Sequence, residues 1–281
     1  MSGAALGRWR RSRALWIGGC VVTGVIVLAV ISPWITPYSP VAFDVRLRFA
    51  PPSAAHLFGT DEFGRDVFSR VLVGARYSLA MGFGAMAISV LAGVPLGLLA
   101  AFHRGLAEAA IMRAVDLLIS LPPILLGLLI LAVTPPNLWK TIVAVGIVYI
   151  PILTRLTRSV ALGLLEEDFV DAARARGEGA VSILVREILP NAWPPIIVES
   201  GLRVTFAILL GSSLSFLGLG PQPPSSEWGL MIAESRQFID RAPWMGLAPG
   251  LSLCALLIAV NLFGEGLRER LDPRLSGRGG A

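Results

Sequence analysis

Charge is scarce in this chain of 281 residues: Asp, Glu, Lys and Arg together make up 15% of it, against roughly 25% in an ordinary soluble domain. That deficit argues against a soluble enzyme. Lysine is nearly missing, and the single example, Lys140, follows Trp139 rather than a glycine. A phosphate-binding loop of the form G-x-x-x-x-G-K-[ST] is therefore excluded. Cys20 and Cys254 each lie inside an apolar run, leaving neither a disulfide framework nor a C-x-x-C metal pair. His56 and His103 have no second ligand at helical spacing, so no bound catalytic metal is expected. No nucleophile-base constellation marks a membrane-embedded enzyme.

Apolar residues make up 54% of the chain, mean hydropathy is +0.71, and there are 30 Gly and 20 Pro. This combination fits an all-α, polytopic membrane protein, in which helix-breaking residues are more frequent than in soluble helices. The formal charge of +5 and a pI of about 10.0 would ordinarily raise a nucleic-acid reading. The basic residues lie between apolar segments, however, where they act as topology signals, so a lipid rather than a nucleic-acid environment is expected.

Crossing about 30 Å of hydrocarbon takes roughly 20 apolar residues, and six windows qualify as transmembrane helices. They are 15–31, ended by Pro33, Pro37 and Pro40; 77–103; 117–139, with Pro122 and Pro123 near its start as kink or entry residues; 141–154; 195–217; and 244–264. The fourth window is the weakest, since its 14 residues reach only about 21 Å unless Lys140 and Arg155 snorkel outward. The fifth carries the only opposite-charge pair inside a span, Glu199 and Arg203. Four residues apart with the acid first, they share a helix face. They are read either as a structural bridge or as a contact in a translocation path.

Orientation follows the arginines. Arg8, Arg10, Arg11, Arg13, Arg104, Arg113, Arg155, Arg158, Arg174, Arg176, Arg186, Arg268, Arg270, Arg274 and Arg278 fall on one side. Arg46, Arg48, Arg65, Arg70, Arg76, Lys140, Arg236 and Arg241 fall on the other, diluted by seven carboxylates. Both termini are thus expected in the cytoplasm. The first apolar run exceeds a signal-peptide core and lacks a small-x-small cleavage site, so it reads as a retained anchor.

The loop between the fourth and fifth spans is too organised for a mere connection, and its residues alone read either as an amphipathic loop packed on its own bundle or as a contact surface. Glu166, Glu167, Asp168 and Asp171 place negative charge at a helix start, where the macrodipole favours it. Ala172, Ala173 and Ala175 give a small, close-packing face, and Gly177 interrupts the helix. Ile183, Leu184, Ile188 and Leu189 supply the apolar face of a second short helix, which Pro190 is expected to stop. Because this loop lies outside the membrane, Ala173→Trp is expected to leave the bundle folded and to disturb only docking.

Asp171-Ala172-Ala173, then Gly177, then Leu189-Pro190 resembles the E-A-A…G…L-P loop of ABC-importer permeases. Asp171 stands where Glu is usual, and Glu187 where the pattern has Ile. The segment from His56 to Arg70, followed by Gly74-Ala75-Arg76-Tyr77-Ser78-Leu79, resembles the external segment of dipeptide/oligopeptide/nickel permeases. So do Leu214-Ser215-Phe216-Leu217-Gly218-Leu219-Gly220, Trp228-Gly229 and Leu271-Asp272-Pro273-Arg274. Members often carry an acidic residue near position 211, where this chain has Gly211.

The resemblance implies a type I ABC-importer permease-like bundle in a bacterial inner membrane. It implies that Asp171, Ala172, Ala173, Gly177, Leu189 and Pro190 belong to a coupling loop docked on an ATPase. It further implies a second, homologous permease subunit, two cytoplasmic ATPase subunits that carry ATP and Mg, and an extracytoplasmic binding protein. The cargo would be dipeptides or oligopeptides, with nickel or another peptide-like solute left open, and no catalytic residue or cofactor would lie in this chain. The expected organisation is a cytoplasmic segment 1–13, a first helix and external segment 14–76, a five-helix core 77–264 with coupling loop 156–194, and a tail 265–281. An ion-coupled secondary transporter is the alternative, but it would call for internal repeats and intramembrane acids. Asp116 and Glu199 are the only carboxylates in or near spans.

The external segment supports two readings. Asp66 and Arg70, four apart, predict a short helix with an apolar face of Val67, Phe68, Val71 and Leu72. That helix would either cap the bundle or serve contact with a binding protein or gating. Gly93-x-x-x-Gly97 and Gly246-x-x-x-Gly250 are steps at which helices can approach closely.

Overall fold

A computed structural model describes the backbone of residues 3–271 and the side chains of 15–270. The Asp272-Pro273-Arg274 end of the tail motif, Arg278 and the side chains of the N-terminal arginines lie outside the described residues. In chain order the helices are α1 (Gly3–Ile35), α2 (Val67–Phe102), α3 (Leu106–Ile119), α4 (Pro123–Ala132), α5 (Leu138–Leu164), α6 (Asp168–Ala175), α7 (Ala180–Ser182), α8 (Leu189–Phe216), α9 (Trp228–Ser235) and α10 (Trp244–Leu271). No strand occurs among the described residues.

Five segments are long and apolar enough to cross a membrane: Leu15–Ile35, Val67–Phe102, Leu138–Leu164, Ala180–Phe216 and Trp244–Arg270. A sixth crossing exists if α3 and α4, bent by 94° at their junction, count as one broken span. The expected third helix over 117–139 is therefore corrected. Pro122 caps α4 and Pro123 occupies its first turn, so the chain turns there instead of continuing. At ten residues, α4 reaches only about 15 Å, half the hydrocarbon thickness.

The fourth span is corrected in the other direction. α5 runs for 27 residues, about 40 Å, because Lys140, Arg155 and Arg158 all lie within the helix instead of bounding it. α2 extends outward in the same manner. The expected short external helix is its first turns, with Asp66 as N-cap accepting from the Ser69 backbone N–H at 2.7 Å.

α2 and α5 form the centre of the bundle. At Gly93 an added Cβ would stand 2.8 Å from the Leu153 Cβ, and at Gly97 2.6 Å from the Thr157 Cβ, so two backbones meet where side chains would keep them apart. Ser89 Oγ donates across this seam to the Gly146 carbonyl at 2.7 Å. α8 packs against both, while α1 lies at the margin against α10.

Candidate functional site

The loop after α5 folds as a compact hairpin of helices. α6 starts with Glu167 at its cap position and Asp168 and Asp171 in its first turn. It ends at Gly177, whose φ of +78° only glycine adopts without strain. The Gly177 N–H donates to the Arg174 carbonyl at 2.9 Å and the Glu178 N–H to the Ala173 carbonyl at 3.2 Å. These two bonds form a Schellman cap. The turn then reverses into α7.

Here the structure corrects the sequence in two places. Pro190 does not stop a second short helix. Ala180 to Phe216 is one continuous 37-residue rod, with Pro190 in the first turn of α8 and a π-helical stretch over Ile183–Ile188 just before it. The proline ring crowds the carbonyl four residues back, and the wider turn accommodates it. The Leu189 N–H accordingly donates to the carbonyl of Leu184, five residues back.

The second correction concerns the small face. Ala173 is fully buried, within the same core as Val170, Ile183, Leu184 and Ile188, whereas Ala172 and Ala175 are exposed. A bulky residue at 173 would therefore strike the protein's own core. The outward apolar surface of the loop consists of Ala172, Ala175, Val181 and Val185, the last two 74% and 53% exposed. Leu189 is half-buried and Pro190 exposed.

Ion pairs brace the hairpin. Asp171 pairs with Arg174 at 2.8 Å; Arg176 reaches Glu178 at 2.6 Å and Glu187 at 3.2 Å. Glu187, a departure from the family pattern, thus ties the rod to the α6 cap. Hydrogen bonds from Arg176 and Ser182 hold the Glu178 carboxyl below its ordinary value. A polar recess of about 590 Å³ between Arg104, Glu166, Asp171 and Arg174 joins this loop to the end of α2.

Glu199 and Arg203 do form the expected pair, with Nε to Oε1 at 2.6 Å and both side chains about a quarter to a third exposed. The Arg203 guanidinium lies 5.5 Å from the Phe206 ring centroid. The pair continues into Phe206, Leu209, Ser213 and Phe216, each at least partly exposed. At spacings of three or four residues these lie on one face of α8, flanked at Phe216 by the Arg236 guanidinium, 5.7 Å from its ring centroid. A cavity of about 300 Å³ lined by Ile124, Leu209, Ser213 and Phe216 adjoins that face. Position 211 leaves no space for a carboxylate, because a Cβ there would overlap Met81. A buried acid does approach the neighbouring turn. Glu227 caps α9, accepting from the Gly229 and Leu230 N–H groups at 2.9 and 2.8 Å and from Ser212 Oγ at 3.3 Å. Burial pushes its carboxyl above its ordinary value.

The external segment carries a buried ionic network, whose contacts to Glu234 and between Arg70 and Asp61 lie beyond helical spacing. Asp61 Oδ2 accepts from both Arg65 and Arg70 at 2.6 Å. Arg70 also reaches Glu234 at 3.0 Å and the Ser225 carbonyl at 3.1 Å. Arg65 approaches Glu62 at 3.4 Å and Glu234 at 3.6 Å, with its guanidinium 4.7 Å from the Phe63 ring centroid. Asp61, Arg65 and Arg70 are each at most 2% exposed. The side chain of Asp66 pairs with His56 at 2.9 Å, not with Arg70. The 56–70 segment is therefore clamped to the 225–234 segment. Trp228 and Trp244 reinforce the clamp, donating to the carbonyls of Val71 and Thr60 at 3.0 Å. Burial, reinforced by the charges of Asp61 and Glu234, raises the Glu62 carboxyl above its ordinary 4.5 despite a backbone hydrogen bond and Arg65 acting the other way.

Known proteins resemble this chain along nearly its whole length. Residues 93–277 match the family described as binding-protein-dependent transport system inner membrane component. Residues 3–52 match the N-terminal TM domain of oligopeptide transport permease C. A dipeptide transport system permease protein of Alkalihalophilus pseudofirmus is 41% identical over 95% of this chain and 88% of its own length. A di/tripeptide transport system permease protein of Pseudomonas aeruginosa is 42% identical over 92% of this chain and 88% of its own. A probable D,D-dipeptide transport system permease protein of Escherichia coli is 39% identical over 92% and 87%. Among solved structures, an inward-facing MetNI methionine ABC transporter chain superposes with a TM-score of 0.60 at 18% identity, covering 73% of this chain and 97% of that one. At that identity it supports the fold alone.

Proposed function

The chain belongs to the family of binding-protein-dependent transport system inner membrane components, and from that premise we propose that it is a permease subunit of an ATP-driven importer of dipeptides or oligopeptides. It is a multi-pass inner membrane protein, and its family works as one component of a larger transporter. In this reading two cytoplasmic ATPases bind ATP and Mg and hydrolyse ATP, a second homologous permease supplies the other half of the path, and an extracytoplasmic binding protein delivers cargo. Both termini and the loop over 156–194 face the cytoplasm.

The observation that carries the proposal is the loop itself. Asp171, Ala172, Ala173 and Gly177 build a capped, ion-paired hairpin on which Ala172, Ala175, Val181 and Val185 are exposed among the described residues. Leu189 and Pro190 begin α8, and with the π-helical turn they make the hairpin continuous with the helix that carries Glu199 and Arg203. Closure of the ATPases would push the hairpin, and the rod would transmit that displacement to the path face. Coupling is then a bias on a two-state bundle, inward-facing or outward-facing.

The peptide assignment is supported by the relatives and by a charge pair of both signs at the exposed face of α8, which suits the two termini of a zwitterion. Mass spectrometry of ligands that co-purify with the binding protein tests it. Di- to oligopeptides are expected. A nickel chelate or a non-peptide solute as the bound species would overturn the substrate assignment and leave the transporter class standing.

A further inference from the structure

α1 and α10 approach through glycines. A Cβ on Gly18 would stand 2.5 Å from the Phe263 backbone nitrogen, and one on Gly266 2.6 Å from the Leu15 Cβ. These contacts set the two backbones side by side, with the N-terminal end of α1 against the C-terminal end of α10. The next face of α1 bears Gly19, Thr23 and Gly24, whose small side chains leave the seam unfilled. An apolar groove of about 710 Å³ results, lined by these residues with Trp16, Phe263 and, at one end, Arg270.

Length and charge identify what fits. From Leu15 to Val27, the span of α1 that lines the groove, the helix rises about 18 Å. A single leaflet of hydrocarbon is roughly 15 Å deep. The groove therefore runs about the depth of one leaflet. At its mouth the exposed Arg270 stands one turn beyond Gly266, on the side of the 66% exposed Trp16. A tryptophan and an arginine together mark a headgroup level. Glu265 is engaged by Asn261 at 3.2 Å and does not line the groove, so the positive end is not neutralised by it.

We propose that this groove binds one anionic phospholipid, with an acyl chain along Gly19, Thr23 and Gly24 and the phosphate against Arg270. The site fixes α1, otherwise joined to the bundle mainly through α10, from the leaflet that both termini share. This inference is independent of the cargo.

Native mass spectrometry of the purified, assembled transporter tests it, titrating palmitoyl-oleoyl phosphatidylglycerol or phosphatidylcholine with the same chains. Wild-type protein is expected to retain phosphatidylglycerol preferentially. Arg270→Gln should reduce that preference roughly fivefold, the effect of one arginine beside anionic lipid, whereas Arg268→Gln, outside the groove, should keep it. Gly24→Phe fills the groove without meeting any atom within 4 Å of the new Cβ, and should lower retention of both lipids. Equal retention of the two lipids by wild type, or an unchanged preference in Arg270→Gln, would overturn the proposal. So would a Gly24→Phe variant that sheds the second permease subunit while retaining phosphatidylglycerol as wild type does, since the groove would then be a protein seam.

Discussion

Ala172 and Ala173 are adjacent in sequence, yet the structure assigns them opposite tests. Ala173 has no exposed surface and touches the core beneath the hairpin, and its carbonyl accepts the Glu178 N–H that closes the α6 cap. Tryptophan there overfills a packed site, at a cost of about 1–3 kcal/mol, and should lower thermal stability before any partner is added. Ala172 is exposed, so tryptophan there costs the isolated chain only a helix-propensity difference below about 0.7 kcal/mol. If that surface docks against the ATPase, the same 1–3 kcal/mol appears at the interface instead, weakening association roughly 5- to 150-fold. The assay has two arms: the melting temperature of each permease variant in detergent, and capture of the ATPase on immobilised permease, followed by substrate-stimulated ATP hydrolysis. Ala173→Trp should melt early. Ala172→Trp should melt like wild type and lose the ATPase. An Ala172→Trp protein with unaltered capture and hydrolysis would refute the docking surface, and an Ala173→Trp protein as stable as wild type would refute the packing argument.

The other sites give further expectations. Arg203 lies about 12 Å beyond Pro195 along the rod, where an unpaired charge costs about 2.5–3.5 kcal/mol on insertion scales. Glu199→Gln should therefore lower the yield of membrane-inserted protein; unchanged yield and unchanged uptake would show that the pair matters neither to insertion nor to transport. Inverting the pair, Glu199→Arg with Arg203→Glu, should preserve yield, and uptake then separates a bridge, which tolerates inversion, from a peptide contact, which does not. Because burial raises the Glu62 carboxyl above 4.5, its protonated form favours the fold, and that contribution is lost as pH rises through the raised value. Glu62→Gln should flatten the decline in melting temperature on the alkaline side of 4.5, and an unaltered profile would contradict this. For topology, a cysteine at Ser225 should react with an impermeant thiol reagent applied outside intact cells, whereas one at Glu178 should not; external labelling at 178 would reverse the orientation.

Local chemistry made much of this architecture readable. Apolar windows located five of the crossings, the acid-first spacing of Glu199 and Arg203 located their bridge, and the acids before Ala172 with Gly177 after it located the α6 hairpin. Long-range partnerships were not readable. Arg70 lies four residues after Asp66 but turns to Glu234, 164 residues away, because Asp66 is already occupied by the α2 cap and by His56. Pro190 read as a stop because the rule for proline assumes an α-helical turn before it, and a π-helical turn relaxes that constraint. The 117–139 window failed as one straight helix because hydropathy measures apolarity and not direction: Pro122 and Pro123 marked the place, but not the 94° size of the bend. Glu227 could have been suspected as an acid immediately before the Trp228-Gly229 helix start.

In the proposed function this chain moves its cargo only as part of an ATP-driven assembly. Uptake of radiolabelled dipeptide into proteoliposomes tests it most directly. The permease pair, the two ATPases, the binding protein and ATP with Mg should together give accumulation, and omission of the ATPases or of ATP should abolish it. Accumulation driven by an imposed proton or sodium gradient, with this chain alone in the membrane, would contradict the account.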